Sequence, residues 1–256
     1  AMMRSFGKFV ESQKGKYITA EDVGMTTHDM EIIHKETKHV VGKPINLGGS
    51  GDPSPVTAYG VLMGIKGSAF HKWGSDNLKG KKVLVQGVGN VGRNLIKLLN
   101  NEGAEIWVNE INPDKLTKIA KDYNVKIISE NIYAADVDIY APCALGGTLN
   151  ELTIPMLKCS IVAGGANNQL AQESIHDDLL MQNKILYAPD FLINAGGLIN
   201  VYSELKGFSS QQVQEKTETI FDTTIEILKK SEAENISSQK AALKIAKEKI
   251  SKTYCS

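Results

Sequence analysis

The chain has 256 residues, of which 42% are hydrophobic and 23% charged, and its formal net charge is zero. This composition is typical of an ordinary globular protein, and the neutral charge gives no indication of a nucleic-acid or membrane partner. No apolar stretch is long enough for a membrane span or a signal peptide, so we expect a cytoplasmic protein. The three widely spaced cysteines predict neither a disulfide framework nor a zinc site.

The first part of the chain leads into a segment rich in glycine and proline. Apolar spacing predicts a helix over residues 2–13, a short strand over 17–20 and a further helix or turn over 29–38. Residues 42–55 contain four glycines and three prolines, so we expect a linker there. A helix over residues 56–69 then leads to the next strand.

An apolar strand runs directly into a glycine-rich turn at residues 82–92, which read K-V-L-V-Q-G-V-G-N-V-G. In a dinucleotide-binding turn the first glycine allows a tight bend and the second lets a pyrophosphate approach the backbone. The third lets the next helix pack closely. The phosphates would meet the free N–H groups at the start of that helix. The cofactor-binding residues predicted here are Gly87, Gly89, Asn90, Val91 and Gly92.

The elements around this turn agree with a nucleotide site. Residues 83–85 form a continuous apolar run, as expected for a parallel strand buried on both faces. Glu110 follows the next predicted strand, where a carboxylate can accept hydrogen bonds from an adenosine ribose and repel a 2′-phosphate. We therefore predict NAD as the cofactor, and the alternative is a tight turn without a ligand.

Strand-like and helix-like segments alternate from residue 81 to about residue 188, which is typical of an α/β fold with a doubly wound, mostly parallel Rossmann-type sheet. The predicted strands are residues 83–86, 106–109, 126–128, 137–141, 161–163 and 185–187. The predicted helices between them are residues 113–122, 150–157 and 172–180. Two amphipathic helices, residues 210–230 and 238–252, complete the chain.

Three loops rich in small residues and amides are expected at the carboxyl edge of this sheet, where such folds bind ligands. These loops are residues 141–147, 163–169 and 194–197. Ordinary turn chemistry can explain any one of them, but three loops at one edge favour a binding crevice. The cofactor-binding residues predicted in these loops from their position are Ala141, Pro142, Cys143 and Ala163.

Several polar residues outside the loops allow two interpretations. Asp22 follows the short predicted strand, and a carboxylate that lines an interdomain cleft can act as a general base, although a turn cap is the alternative. Thr57 lies near the start of a predicted helix, where a hydroxyl either caps the helix or reaches a ligand. The five histidines lack metal-ligand spacing, so we expect no metal site. We expect Cys143 to be a small buried residue rather than a nucleophile.

Five motifs, in one order along essentially the whole chain, resemble a known enzyme family. They are Y-I-T-A-E-D-V-G at 17–24, G-S-G-D-P-S-P-V-T-A-Y-G at 49–60, Q-G-V-G-N-V-G at 86–92, A-P-C-A-L-G-G at 141–147 and Y-A-P-D-F-L-I-N-A-G-G-L-I-N-V at 187–201. Together they resemble the amino-acid dehydrogenases that act on glutamate, leucine, phenylalanine and valine, and the leucine enzymes above all. The resemblance implies NAD-dependent, reversible oxidative deamination of an L-amino acid to a 2-oxo acid and ammonia.

The resemblance also implies roles for single residues. Asp22 is expected to handle protons on the amine and on the water that attacks the imino acid. Thr57, Asn168 and Asn194 are expected to line the nicotinamide side of the cleft. The side-chain pocket of the substrate is implied to include three apolar residues, Ala20, Leu198 and Val201. A second substrate carboxylate against Val201 would be buried unpaired, so we expect leucine, isoleucine or valine, with phenylalanine as the alternative.

The family pattern implies a division of the chain and also a departure from the pattern. Residues 1–41 would end a substrate and dimerisation domain, 42–235 would form the NAD-binding domain, and 236–256 would be a helix returning to the substrate domain. The family carries two essential lysines in a glycine-rich segment before the position of Asp22. No such segment occurs in the 21 residues that precede Asp22 here.

We therefore expect this chain to bind NAD but to need the lysine segment for turnover. The alternative is a non-catalytic NAD-binding module or an inactive homologue that lacks the lysines. The complete enzyme is expected to be a homo-oligomer, because a chain of neutral charge tends to associate.

Overall fold

The computed structural model describes residues 1–22 and 24–254. Its strands are β1 (Lys82–Gln86), β2 (Glu105–Asn109), β3 (Val125–Ile127), β4 (Ile139–Pro142), β5 (Ile161–Val162) and β6 (Leu186–Tyr187). Its helices are α1 (Met2–Ser12), α2 (Thr27–His34), α3 (Ser54–Trp73), α4 (Asn90–Asn101), α5 (Pro113–Asp122), α6 (Glu173–Gln182), α7 (Asp190–Ile193), α8 (Gly196–Lys206), α9 (Ser210–Glu234) and α10 (Ser238–Tyr254). Every predicted strand of the central region is present, and no end is shifted by more than two residues.

The strands form one six-stranded sheet in the order β3-β2-β1-β4-β5-β6. Each neighbouring pair is parallel. The first strand, β1, lies in the middle of the sheet. The chain adds β2 and β3 on one side of it and then returns to add β4, β5 and β6 on the other side. The prediction of a doubly wound parallel α/β sheet is therefore confirmed. Ligands of such a sheet bind beyond the carboxyl ends of β1 and β4, where the strand order reverses.

The sheet is buried on both faces because β1 is apolar throughout its middle. Val83 and Val85 belong to the larger core cluster, which includes buried residues of α3 and α4. Leu84 points into a second cluster on the opposite face, together with Tyr140 of β4. Alternate residues of one strand thus supply two separate cores, as the period of a β-strand requires.

Two predicted elements are shorter or absent in the structure. The expected strand at residues 17–20 is reduced to one parallel bridge between Thr19 and Val40. The expected helix at 150–157 is wrong, because only a short 3-10 turn forms at Ile154–Met156. The Asn150 side chain accepts the N–H groups of Leu152 and Thr153, and this local turn competes with a helix.

Helix α3 packs unusually close to the segment that follows β6. A Cβ atom at Gly64 would lie 2.2 Å from Cγ2 of Ile193, so only glycine permits this approach. The start of α3 also lies next to the start of α8, since a Cβ at Gly196 would lie 2.2 Å from the carbonyl oxygen of Val56. Helix α10 packs against α9 and α6 in the structure. The domain boundaries inferred from the sequence stay a prediction. Among the described residues, no helix is both long and apolar enough to cross a membrane.

Candidate functional site

The glycine-rich turn lies at the carboxyl end of β1, as the strand order requires. Gly87 has a φ of +94°, a left-handed conformation that favours glycine. A Cβ atom at Gly92 would lie 2.0 Å from the carbonyl oxygen of Gly87, so the third glycine is needed for close packing of α4 on the turn. At Gly89 the position of a Cβ has no atom of the described residues within 4 Å. The middle glycine therefore faces open space, where a ligand can approach the backbone.

Helix α4 begins directly after Gly89. No side chain in the described part of the chain caps its first turn. Its first N–H groups are therefore left without a side-chain acceptor there, and the positive end of the helix dipole adds to the attraction for an anion. This combination is what a pyrophosphate requires.

Glu110 forms a hydrogen bond to the backbone of the glycine-rich turn. Its Oε2 accepts the N–H of Val88 at 2.7 Å, and its Oε1 accepts the N–H of Asn112 at 3.0 Å. Partial burial opposes ionisation, but these backbone hydrogen bonds outweigh it and lower the pKa of Glu110 below its usual value. The carboxylate is thus ionised and held beside the glycine turn.

The loop after β4 meets the loop after β5 at the same edge. Gly165 donates its N–H to Sγ of Cys143 at 3.4 Å, and a Cβ at Gly164 would lie 2.2 Å from the carbonyl oxygen of Pro142. Burial raises the pKa of the Cys143 thiol to about 11. Cys143 is therefore a thiol at neutral pH and a poor nucleophile. Ala141, within the last two residues of β4, and Ala163, directly after β5, are both fully buried.

Two side-chain amides form a hydrogen bond at this edge of the sheet. One of them, Asn194, was predicted as a site residue, and the other, Asn167, was not. Asn194 donates its Nδ2–H to Oδ1 of Asn167 at 2.5 Å. Asn168 is exposed and adopts a left-handed backbone with φ of +51°. The sequence did not point to Asn167 as the partner of Asn194, because the pattern does not show which of two adjacent amides points toward it; the role expected of Asn168 stays a prediction.

A buried polar pair that the sequence reasoning missed supports the loop after β5. The Gln169 side chain donates to the carbonyl oxygens of Gly164 and Ala166 at 2.7 and 3.0 Å. Asp190 accepts the Gln169 backbone N–H at 2.9 Å. Both side chains are buried, so their hydrogen bonds fix the loop that carries Asn167.

Thr57 lies on the first turns of α3 and faces α8. Its Oγ1 donates to the Pro53 carbonyl oxygen at 3.0 Å. A Cβ at Gly197 would lie 2.7 Å from Oγ1 of Thr57. The hydroxyl is therefore close to the segment that carries Asn194, and its own hydrogen bond keeps it on α3.

Asp22 lines a cavity of about 430 Å³ together with Ala20, Glu21 and Met25. Its carbonyl oxygen accepts the N–H of Met25 at 2.9 Å, which closes a tight turn, and its side chain is exposed. Both interpretations of Asp22 therefore have some support, since the residue shapes a turn and also borders a cavity.

The segment with Asp22 approaches α8 at Gly42. A Cβ at Gly42 would lie 3.2 Å from Cβ of Glu21 and 3.8 Å from Cγ1 of Val201. Val201 is 7% exposed and Leu198 is 70% exposed, so the two predicted pocket residues on α8 differ strongly in burial. Ala20 is half-buried.

Glu21 is a further residue that the sequence reasoning missed. Its Oε2 is buried without a hydrogen-bond partner among the described residues. Burial, together with the negative charges of Asp52 and Asp29, raises the pKa of Glu21 to about 7. A carboxyl group that exchanges a proton near neutral pH thus borders the same cavity as Asp22. In residues 1–22 and 24–254 no group of histidine, cysteine or acidic side chains has the geometry to hold a metal ion.

Comparisons with known proteins agree with one another. The sequence model of the Glutamate/Leucine/Phenylalanine/Valine dehydrogenase family matches residues 48–110 and 108–255. Leucine dehydrogenase of Bacillus cereus is 46% identical over 251 residues, which are 98% of this chain and 68% of that protein. L-tryptophan dehydrogenase of Nostoc punctiforme is 42% identical over 250 residues, or 97% of this chain and 70% of that protein. A crystal structure of L-tryptophan dehydrogenase from Nostoc punctiforme superposes with a TM-score of 0.86 at 40% identity, over 99% of this chain and 73% of the other.

Proposed function

Because the chain belongs to the glutamate, leucine, phenylalanine and valine dehydrogenase family, we propose that it catalyses the NAD-dependent, reversible oxidative deamination of a branched-chain L-amino acid. Leucine is the preferred substrate, and the products are the 2-oxo acid and ammonia. The observation that carries this proposal is the 46% identity with leucine dehydrogenase over 98% of the chain.

The residues at the glycine turn fit NAD. Gly89 leaves room for a pyrophosphate, the first turn of α4 offers free N–H groups, and Glu110 presents an ionised carboxylate for the ribose hydroxyls. The same carboxylate disfavours the 2′-phosphate of NADP. When bound, NAD supplies the hydride acceptor for the oxidation of the amino acid.

The amide and hydroxyl groups at the strand ends would orient the nicotinamide. Thr57, Asn168 and Asn194 carry this role in the proposal, and the contact between Asn194 and Asn167 adds a fourth group. Amides can donate and accept hydrogen bonds at once, which suits the carboxamide of the cofactor. Of the four small residues predicted at these strand ends, Cys143 is partly exposed and would contact the cofactor, whereas Ala141, Pro142 and Ala163 are buried and would support the site from beneath.

Asp22 is the proposed general base. Its cavity-lining, exposed side chain can take a proton from the substrate ammonium group and later from the water that attacks the imino acid. The neighbouring Glu21 has a pKa of about 7, so its carboxyl group is protonated in part of the molecules at neutral pH. In that form it can hold a proton close to the reacting groups.

The proposed side-chain pocket discriminates by polarity. Ala20, Leu198 and Val201 offer no hydrogen bond to a second carboxylate, so glutamate would leave a desolvated charge unpaired. A branched aliphatic side chain instead gains about 0.8 kcal/mol for each buried CH₂ group. The proposed pocket thus favours leucine, isoleucine or valine over glutamate.

The experiment that tests the proposal is an activity assay on the protein encoded by the whole gene. NADH formation is followed with L-leucine, L-valine, L-phenylalanine and L-glutamate, each with NAD and with NADP. Turnover of the aliphatic amino acids with NAD is the expected result. NAD binding without turnover of any amino acid would instead favour a non-catalytic NAD-binding module.

The small-molecule partners of the proposed reaction are the amino acid, its 2-oxo acid, ammonia and NAD. We further propose that the protein is a homo-oligomer in the cytoplasm. The neutral net charge and the exposed apolar side chains of Met2 and Phe9 on α1 support self-association. Light scattering coupled to size-exclusion chromatography tests the oligomeric state, and a monomeric mass would contradict it.

A further inference from the structure

One carboxylate on α8 fastens the loop that joins the two parts of the candidate site. Oε1 of Glu204 accepts the backbone N–H of Gly42 at 2.6 Å, the backbone N–H of Ser50 at 2.7 Å and the Ser50 hydroxyl at 2.7 Å. Its Oε2 lies 3.8 Å from Nζ of Lys43, and the Glu204 side chain is only 5% exposed. A single buried carboxylate therefore binds both ends of a loop that lies more than 150 residues away in sequence.

The loop of residues 42–51, which we call the linker loop, is closed on itself. Gly51 donates its N–H to the Lys43 carbonyl oxygen at 3.0 Å, so its two ends are already neighbours. Gly42 has a φ of +76° and is buried, which leaves little freedom for its position. The Glu204 carboxylate thus forms hydrogen bonds to a compact loop whose two ends are themselves hydrogen-bonded to each other.

The two ends of the linker loop lead to different parts of the site. Upstream of Gly42, the N–H of Val41 donates to the Thr19 carbonyl oxygen at 2.9 Å, and Thr19 precedes Asp22 by three residues. Downstream of Ser50, the chain enters α3, which carries Thr57. Glu204 follows Val201 by three residues on α8, and residues three apart are neighbours on the surface of a helix.

From these contacts we propose that Glu204 is a positioning residue for the dehydrogenase reaction. By holding the linker loop on α8, it sets the distance of Asp22 and of Thr57 from the side-chain pocket at Val201. It touches neither substrate nor cofactor, and its effect is transmitted through Gly42 and Ser50. The inference rests on the proposed function.

The test compares Glu204→Ala with Glu204→Gln in the protein encoded by the whole gene. Alanine leaves the buried Gly42 N–H without its acceptor, so the linker loop must shift. Glutamine retains one oxygen that can accept the same three hydrogen bonds, while it replaces Oε2 by an amide NH₂ and removes the charge beside Lys43. Glu215→Ala, which truncates an exposed carboxylate on α9, serves as the matched control.

Glu204→Ala is expected to lower kcat/KM for L-leucine by about tenfold or more, because small misplacements of reacting groups are costly. The primary isotope effect with Cα-deuterated leucine is expected to rise, while the KM for NAD stays close to the wild-type value. Glu204→Gln and Glu215→Ala are expected to behave like the wild-type protein. A role in folding alone would reduce the active fraction and leave the KM values and the isotope effect unchanged.

Each outcome decides between these possibilities. Wild-type kinetics in Glu204→Ala, or a loss of kcat with unchanged KM for leucine and unchanged isotope effect, would overturn the inference while the proposed function stands. If Glu204→Ala does not fold, Ser50→Ala removes one donor, and an unchanged isotope effect in that variant overturns the inference. A wild-type protein that turns over no amino acid overturns the proposed function and this inference with it.

Discussion

Replacement of Gly89 by alanine separates nucleotide binding from folding. The backbone at Gly89 has φ −73° and ψ −167°, which alanine adopts without strain. Its new Cβ would meet no atom of the described residues within 4 Å. The folded protein therefore accommodates the methyl group. The lower chain entropy of the unfolded state favours folding by about 0.4–1 kcal/mol, which roughly offsets the poorer N-cap that alanine makes for α4.

The same methyl group occupies the space where the pyrophosphate is expected. We predict that Gly89→Ala weakens NAD binding about tenfold or more, equivalent to about 1.4 kcal/mol or more. Isothermal titration calorimetry measures the Kd for NAD, and thermal unfolding monitored by circular dichroism measures Tm. The predicted result is a weaker Kd with an equal or slightly higher Tm.

Gly92→Ala is the matched control, because its Cβ would lie 2.0 Å from the Gly87 carbonyl oxygen. That variant should lose about 1–3 kcal/mol of folding stability or more, since the turn and α4 must move apart. An unchanged Kd for NAD in Gly89→Ala would refute the assignment of the glycine turn as the phosphate site. A large drop in Tm for Gly89→Ala would refute the geometric reasoning.

Three further predictions test other parts of the account. Glu110→Ala should weaken NAD binding and reduce the preference for NAD over NADP, and an unaltered ratio of the two Kd values would contradict the ribose role. Asp22→Asn in the protein encoded by the whole gene should abolish most turnover and leave the Kd for NAD near normal; persistent turnover in a steady-state assay would return Asp22 to a turn cap. Burial raises the pKa of Asp177, whose Oδ2 accepts the Gln239 N–H at the start of α10, from 3.8 to about 6. The folded state then binds the proton more tightly than the unfolded state, so this group's contribution to stability is complete below pH 4 and falls by about 3 kcal/mol as the pH rises to 6 and above. Urea unfolding at several pH values should show this slope in the wild-type protein and lose it in Asp177→Asn, and equal slopes would disprove the assignment.

The local patterns of the sequence were sufficient for the sheet and for the nucleotide turn. A buried parallel strand, three glycines at fixed spacing and an acid after the next strand are each specified by residues close together in sequence. The structure accordingly brings Glu110 to the Gly87–Gly92 turn through a hydrogen bond to Val88. The alternation of strands and helices predicted a doubly wound parallel sheet, whereas the order of its strands was seen only in the structure.

Features that depend on long-range contacts or on side-chain direction were not predictable in this way. The hydrogen bonds of Glu204 to Gly42 and Ser50 span more than 150 residues and leave no local signal. The choice between Asn167 and Asn168 depends on the left-handed backbone at Asn168, which the sequence of two adjacent amides does not show. At residues 150–157 a side-chain turn at Asn150 prevailed over an apolar pattern that suggested a helix.

The most direct test of the central claim compares L-leucine with L-glutamate as substrates of the protein encoded by the whole gene. The ratio of their kcat/KM values is measured from NADH formation at saturating NAD. From the three apolar side chains predicted for the pocket, Ala20, Leu198 and Val201, we predict that leucine is favoured by about a hundredfold or more, because they offer a second carboxylate no hydrogen bond. A higher kcat/KM for glutamate, or no NADH formation with any aliphatic amino acid, would contradict the account.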